Sequence, residues 1–275
     1  AGAFPLNRYR AARLTISRGA LLNNLDVIRR ALKGAKLMAV VKAEAYGHGM
    51  AFAAKLFAAG ADSFGVSSAD EALELRDCGI RAPVLVLGGS PACAAADVVA
   101  RHVSLAVYDI PFLKALQKEA ARQDTVAHAH VKIDTGMNRV GVKGQSQLEG
   151  LLSAWKDAPN VKMEGIFTHF CDAGDDEFTA LQDARFLEAI RCVRRGGFKP
   201  YAHAAASLPI ARGRYLHDCA RPGVSLYGAE VANLLPELIP AQTLAAYPTR
   251  VEWIEAGESV GYGRTFTAGR PTRVM

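Results

Sequence analysis

Continuous apolar runs of strand length recur along the chain at 37–43, 63–67, 83–87, 104–108, 129–134, 162–167 and 200–205. Runs that short, apolar throughout rather than alternating, predict strands buried on both faces. Between them lie segments with helical spacing, among them 50–59 (MAFAAKLFAA), 69–78 (ADEALELRDC), 110–122 (IPFLKALQKEAAR) and 179–195 (TALQDARFLEAIRCVRR), all rich in good helix formers. Asp70 and Asp109 stand near two expected helix starts, and Gly60, Gly79 and Gly196 where helices should stop. Strands and helices alternating in this way predict parallel pairing through right-handed crossovers. A short eighth strand at 218–221, before the Pro222–Gly223 turn, completes eight units over about 220 residues, the size of a (β/α)8 barrel. A doubly wound open sheet is the alternative arrangement.

The texture changes after Gly228. Residues 229–248 carry Pro236, Pro240 and Pro248 with little periodicity, and from Thr249 the chain alternates (TRVEWIEAGESVGYGRT), which predicts antiparallel β-structure with glycine turns. The expected fold class is α/β: a (β/α)8 TIM barrel over residues 10–230, then an incomplete, mainly β C-terminal domain over 231–275. Two or three strands with an open edge are marginal alone.

Composition narrows the picture further. The 275 residues are 50% hydrophobic, enough for one large core or two smaller ones. The 33 basic and 27 acidic side chains leave a net charge of +6, but the charges are scattered and indicate no nucleic-acid partner. Five cysteines without CxxC spacing point to neither a disulfide framework nor a zinc site, so reduced cysteines, a cytoplasmic location and no metal are expected. No apolar stretch reaches the roughly 18 residues of a membrane span and no signal-peptide pattern opens the chain, so no membrane partner is expected. The chain begins at Ala1 rather than methionine and ends at Met275, which reads as processing or an incomplete start, and as a truncated β-domain.

The chemistry lies where the apolar runs end. In LMAVVKAEAYGHG (37–49) a buried strand delivers Lys42 to a polar, glycine-punctuated loop that also holds Tyr46. A lysine snorkelling from a core strand is the plain alternative, but further strand ends supply DTGMNR (134–139), His169, His203, Ser207 and Arg221. In a barrel these residues converge on the C-terminal face, where such folds do their chemistry. The loops after the seventh and eighth strands, the usual phosphate site, offer the Ser207 hydroxyl and Gly223, whose backbone N–H can approach closely. An amine, a phosphate cradle and an arginine form the set that a lysine-bound pyridoxal phosphate requires.

AVVKAEAYGHG, VKIDTGMNRVGV, THF, ARPGVSLYG and VGYGRTF, in that order, resemble alanine racemase, a pyridoxal-phosphate enzyme family with a barrel and a C-terminal β-domain. The likeness runs from about residue 10 to the end. It implies pyridoxal 5′-phosphate as cofactor, Lys42 as its Schiff-base lysine, and Tyr46, Ser207, Gly223 and Val224 around its phosphate. Arg139 would approach the phenolic oxygen, and Arg221 the pyridine nitrogen with His169 behind it. Lys42 and Tyr262 would be the two catalytic bases, the tyrosine reaching the partner's site in a head-to-tail homodimer. The resemblance implies an amino-acid substrate, racemisation of L- and D-alanine, and D-alanine supply for peptidoglycan in the cytoplasm. In some members the lysine matching Lys132 is carbamylated to hold the arginine; direct pairing of Lys132 with a carboxylate is the alternative.

Two departures qualify these expectations. Ala206 stands where the family usually has asparagine, and the tyrosine that normally completes the phosphate site lies in the part of the β-domain not present. Weak cofactor binding and either poor turnover or aggregation are therefore expected of this chain alone. Rival readings are a non-catalytic pyridoxal-phosphate homeostasis protein, disfavoured by VGYGRTF, a racemase of another amino acid such as serine, and a basic amino-acid decarboxylase, disfavoured by Arg221.

Overall fold

Eight short strands close into a barrel because most of their residues are buried and stable only when both faces are covered. The computed structural model describes residues 12–229 and 232–275. A first strand, β1 (Ala12–Ile16), precedes the barrel, whose strands are β2 (Lys36–Val40), β3 (Ser63–Val66), β4 (Val84–Val86) and β5 (Ser104–Val107), followed by β6 (Ala127–Lys132), β7 (Val161–Phe167), β8 (Tyr201–His203) and β9 (Cys219–Ala220). Each pairs in parallel with the next in sequence, and β2 closes onto β9 with Lys36 opposite Cys219 and Leu37 opposite Ala220. The expected (β/α)8 barrel is the observed fold, and the open-sheet alternative is excluded by that closure.

The crossovers are α1 (Arg18–Ala31), the left-handed turn α2 (Lys42–Gly47), α3 (Met50–Phe57), α4 (Ala69–Asp77) and α5 (Ala95–Ala100), then α6 (Ile110–Arg122), α7 (Gly144–Lys156), α8 (Asp176–Arg195) and α9 (Ser207–Ala211). Their starts follow local capping chemistry. Asp109 Oδ1 accepts the Phe112 N–H at 2.8 Å, as expected, and Asp175 Oδ1 accepts that of Phe178 at 2.9 Å. Asp70 is not a cap: Ser68 caps α4, leaving Asp70 and Glu71 in the first turn, where carboxylates favour the helix dipole. Gly79 ends α4 at φ +87°, and α8 stops at its C-cap Gly196, as expected, with Gly197 following at φ +94°. Arg76 ties this side of the barrel together, donating to the carbonyls of Ile80 (2.9 Å), Ala82 (2.8 Å), Arg101 (3.0 Å) and His102 (2.9 Å).

The barrel interior is divided. One part is apolar, with Met38, Leu85 and Cys219 packed together against Leu87 and Tyr201. The other is polar, with His130, Lys132, His203 and Arg221 buried among β6, β8 and β9.

The chain separates into two compact units, one spanning Ser17–Ala241, the other combining the described residues up to Ile16 with Gln242–Met275. The expected domain limits at residues 10, 230 and 231 lie outside the described residues. In the smaller unit β1 pairs antiparallel with β10 (Gln242–Ala246), β11 (Glu252–Ile254) with β14 (Thr272–Val274), and β12 (Ser259–Val260) with β13 (Phe266–Thr267). Antiparallel structure was expected after Thr249; β10 lies within the stretch read as lacking periodicity. Among the described residues no helix is long and apolar enough to cross a membrane.

Candidate active site

The β2 strand ends at Val40, and Lys42, half-buried, opens a turn of unusual hand. Ala43, Glu44, Ala45 and Tyr46 have φ of 50°, 53°, 52° and 55°, a left-handed conformation that costs non-glycine residues roughly 1–2 kcal/mol each. Backbone bonds close it, from Ala45 N–H to Val41 O at 2.9 Å and from Gly49 N–H to Glu44 O at 2.8 Å. Its hand turns the Tyr46 ring onto Tyr227, 5.1 Å between centroids.

The loops after β8 and β9 meet that tyrosine. Ser207 Oγ accepts the backbone N–H groups of Gly223 and Ser225, both at 3.3 Å, and lies 3.0 Å from Ser225 Oγ. Gly223 is required here by close approach: a Cβ at this position would lie 2.6 Å from Tyr46 Oη and 3.3 Å from its Cζ. Three hydroxyls and two amides therefore converge on one small volume. Val224 follows, partly exposed.

Arg221, buried, anchors a directional chain through the barrel. Its Nη2 donates to Thr168 O at 2.7 Å and Ala204 O at 3.0 Å, and Nη1 lies 2.7 Å from His203 Nδ1. Guanidinium only donates, so His203 Nδ1 accepts and its proton resides on Nε2. That nitrogen is 2.8 Å from His130 Nδ1, which accepts in turn, leaving His130 Nε2–H for Tyr201 Oη at 3.3 Å. Burial keeps both imidazoles neutral: it pushes His130 down to about 3, with Arg221 and His128 adding to the effect and Glu164 opposing it, and holds His203 well below the usual histidine value. Burial also lowers Arg221 to about 10, still protonated at neutral pH.

The sign of the resulting pH dependence is fixed. Unfolded, His130 takes a proton near pH 6.5; folded, only near 3. Between these values the unfolded state binds more protons, so stability falls as pH drops, by about 1.4 kcal/mol per pH unit from this group. Urea midpoints measured from pH 7 to 4 should fall, and less steeply in His130→Gln; identical slopes would contradict the neutral, buried assignment.

His169 sits at the mouth of this chain, its Nδ1 3.3 Å from Arg221 Nη2. Burial and then the charges of Arg221, Lys132, Arg139 and Lys42 push it down to about 3. Four of the expected site cations therefore act on one imidazole. Lys132 is buried with its Nζ 4.6 Å from the Phe167 ring centroid, and the described buried set holds no aspartate or glutamate. Among the described residues no ion pair joins Lys132 to a neighbouring carboxylate, although the half-buried Asp134 acts on it through its charge. Burial, Arg221 and Arg139 lower this amine well below the usual lysine range. Arg139 itself is exposed, on a loop folded by Asp134 Oδ1, which accepts the N–H of Gly136 at 2.9 Å and of Asn138 at 3.0 Å. Tyr262 belongs to the smaller unit, where its side chain is fully exposed.

A cavity of about 600 Å³ lies elsewhere, between the 133–145 loop and α8, lined by Phe178, Arg185 and Cys192 but by none of Lys42, Tyr46, Ser207 or Arg221. Several residues of the site were not singled out from sequence: His130, Tyr201, Ser225, Tyr227 and Glu71. The period-two spacing of His128, His130 and Lys132 along one strand face was a usable signal for the first, and Ser68-x-x-Glu71, a capping-box signature, for the last.

A closed parallel barrel with its ionisable groups gathered at the C-terminal strand ends is a (β/α)8-barrel enzyme. Residues 16–231 match the family model for the alanine racemase N-terminal domain. Alanine racemase 2 of Caldanaerobacter subterraneus subsp. tengcongensis is 34% identical over 274 residues, covering 96% of this chain and 71% of that protein. The structure of the Bacillus anthracis alanine racemase with bound L-Ala-P superposes with a TM-score of 0.86 at 28% identity, over 98% of this chain and 72% of that one. The histidine racemase of Leuconostoc mesenteroides subsp. sake gives a TM-score of 0.83 at 29% identity, over 97% of this chain and 73% of that one. The chain belongs to the alanine racemase family, amino-acid racemases of the isomerase class.

Proposed function

We propose that this chain racemises alanine with pyridoxal 5′-phosphate held at the barrel mouth, supplying D-alanine for peptidoglycan in the cytoplasm. The observation that carries the reading is the charge pattern. Arg221 and Lys132 are buried with no carboxylate among the described buried residues, while hydroxyl and amide donors converge at Tyr46, Ser207, Gly223 and Ser225. A buried arginine with no buried carboxylate beside it, whose field with that of Arg139 also depresses the Lys132 amine, suits an anionic group, and small donors around a glycine suit a phosphate. The residues therefore fit the cofactor.

Lys42 would carry it covalently, Tyr46, Ser207, Gly223 and Val224 would hold its phosphate, Arg139 would face its phenolic oxygen, and Arg221 its ring nitrogen with His169 behind. When bound, the cofactor withdraws electrons and so acidifies the substrate's α-carbon. Arg221, still protonated at neutral pH, would donate a hydrogen bond to the ring nitrogen without giving up its proton, and so would leave that nitrogen unprotonated. Inversion requires a proton removed from one face and returned to the other. Lys42 serves one face and Tyr262 of a second copy the other, in a homodimer; the exposure of Tyr262 supports that role. Lys132, a buried amine depressed by two arginines, would add CO₂ with loss of a proton, placing a carbamate's negative charge beside Arg139.

The likeness to a histidine racemase favours one second reading, a larger amino-acid substrate. Incubating the cofactor-loaded protein with L-alanine, L-serine or L-histidine in deuterated water separates them. Alanine should take up α-deuterium fastest, even if turnover is slow; faster exchange with histidine moves the substrate, and exchange with none rejects the function. Native mass spectrometry with and without bicarbonate tests Lys132, and an unmodified amine under both conditions removes the carbamate.

A further inference from the structure

We propose that Glu71 is a positioning residue for Lys42: its carboxylate clamps the left-handed turn that carries the lysine. Ser68 Oγ accepts the Glu71 N–H at 3.3 Å, the first half of a capping box in which the glutamate ordinarily reaches back to its own helix start. Here one oxygen crosses to the neighbouring βα unit. Oε1 accepts the Ala43 N–H at 2.7 Å, while Oε2 accepts the Ser67 N–H at 2.7 Å and lies 2.8 Å from Ser67 Oγ. Both carboxylate oxygens are thus spent on joining the end of β2 to the end of β3.

Ala43 is the first of the four left-handed residues and the one directly after Lys42. Such conformations persist only where the surroundings over-determine them, and charge-assisted bonds to backbone N–H groups are among the stronger local restraints. The far end of the turn has its own restraints. Glu44 Oε2 accepts the Met50 N–H at 3.0 Å, His48 Nδ1 lies 2.9 Å from Ala45 O, and the His48 ring stacks on Tyr227 at 4.6 Å. Tyr227 in turn donates to Val40 O at 2.9 Å. With the far end pinned, Glu71 decides the direction in which the chain leaves Val41, and so where the Lys42 side chain starts. Among the described residues no ion pair joins Glu71 to Lys42, so Glu71 acts on the backbone and not on the ammonium.

The consequence for Lys42 rests on the cofactor attachment proposed above, whereas the clamp itself does not. Hydrogen exchange on the cofactor-free protein reads the clamp, and the rate of borohydride-trapped pyridoxal-phosphate attachment, mapped by peptide to Lys42, reads its consequence. Glu71→Ala should speed exchange at Ala43 and Ser67 at least tenfold with the barrel strands still protected, and slow attachment at Lys42 at least tenfold. Glu71→Gln, which keeps one carbonyl acceptor and the side-chain shape, should fall between, and carries the comparison if the alanine variant is insoluble. Adding Ala43→Gly to Glu71→Ala should restore part of the attachment rate, because glycine adopts positive φ without strain. Ser68→Ala, which removes the α4 cap and leaves the turn untouched, should not slow attachment. Unchanged exchange and attachment in both Glu71 variants would overturn the proposal, as would a Ser68→Ala defect as large as that of Glu71→Ala. Should the unaltered protein take no label at Lys42, the functional reading fails, and exchange at Ala43 alone decides the clamp.

Discussion

Lys42→Ala should abolish borohydride-trapped attachment of pyridoxal phosphate and lower α-deuterium exchange by about three orders of magnitude, because it removes both the covalent tether and a proton-transfer group. The fold should survive. Lys42 is half-buried at the start of the turn, and the four strained residues follow it. Lys42→Arg separates charge from nucleophile: it keeps a cation beside His169, which already feels Arg221, Lys132 and Arg139, yet cannot condense with an aldehyde. Both variants should therefore fail equally in attachment. Trapping at Lys132 instead, the buried lysine of the same mouth, would move the chemistry to another amine and sink the assignment. Melting temperatures within a few degrees of the parent would confirm that chemistry and not folding was lost.

The barrel was legible because its strands are covered on both faces and so carry unbroken apolar runs. Where the interior is polar, the apolar pattern breaks and the strand limits are no longer marked. The run read as 129–134 is the strand Ala127–Lys132, displaced because His128, which pairs with Glu164 of the neighbouring strand, interrupts the apolar pattern near its start. The strand β10 escaped notice because all five of its residues are exposed, leaving no alternation, and because its partner β1 lies at the other end of the chain. Residues placed at strand ends were readable from chemical type alone, and Lys42, Tyr46, Ser207 and Arg221 needed only the fold to bring them to one face.

Residues that act through other residues were not readable. Glu71 looks like an ordinary first-turn carboxylate until the neighbouring βα unit presents the Ala43 N–H. His130 and Tyr201 lie inside apolar runs, and only the directionality of the Arg221 guanidinium gives them a role. Arg139 illustrates the reverse case: its position in DTGMNR was clear, yet it is exposed, and it reaches His169 and Lys132 through its charge.

Gly165→Ala should be the more damaging of the two glycine-to-alanine changes within the barrel strands, the other being Gly65→Ala. Gly165 in β7 pairs with His130 on one side and Tyr201 on the other, beside an irregularity in the β6–β7 register. A Cβ there would lie 2.6 Å from His130 Cε1 and 2.8 Å from its Cγ, and closer still to Nδ1. The ring cannot retreat without loss, since that Nδ1 is the acceptor for His203, whose other nitrogen accepts from Arg221. Overpacking costs about 1–3 kcal/mol, and stranding a buried donor about 1–3 kcal/mol more. Together these lower the melting temperature by on the order of 10 °C in a domain of this size. Gly150→Ala is the matched control: nothing lies within 4 Å of its added Cβ on α7, so it should gain up to about 1 kcal/mol from helix propensity. A thermodynamic cycle isolates the cause. In a His130→Ala background the methyl at 165 meets space instead of a ring, and its cost should shrink to below about 1 kcal/mol. An equal cost in both backgrounds would mean that Gly165 answers to the strand backbone and not to the imidazole, and the directional chain from Arg221 would then lose its steric support.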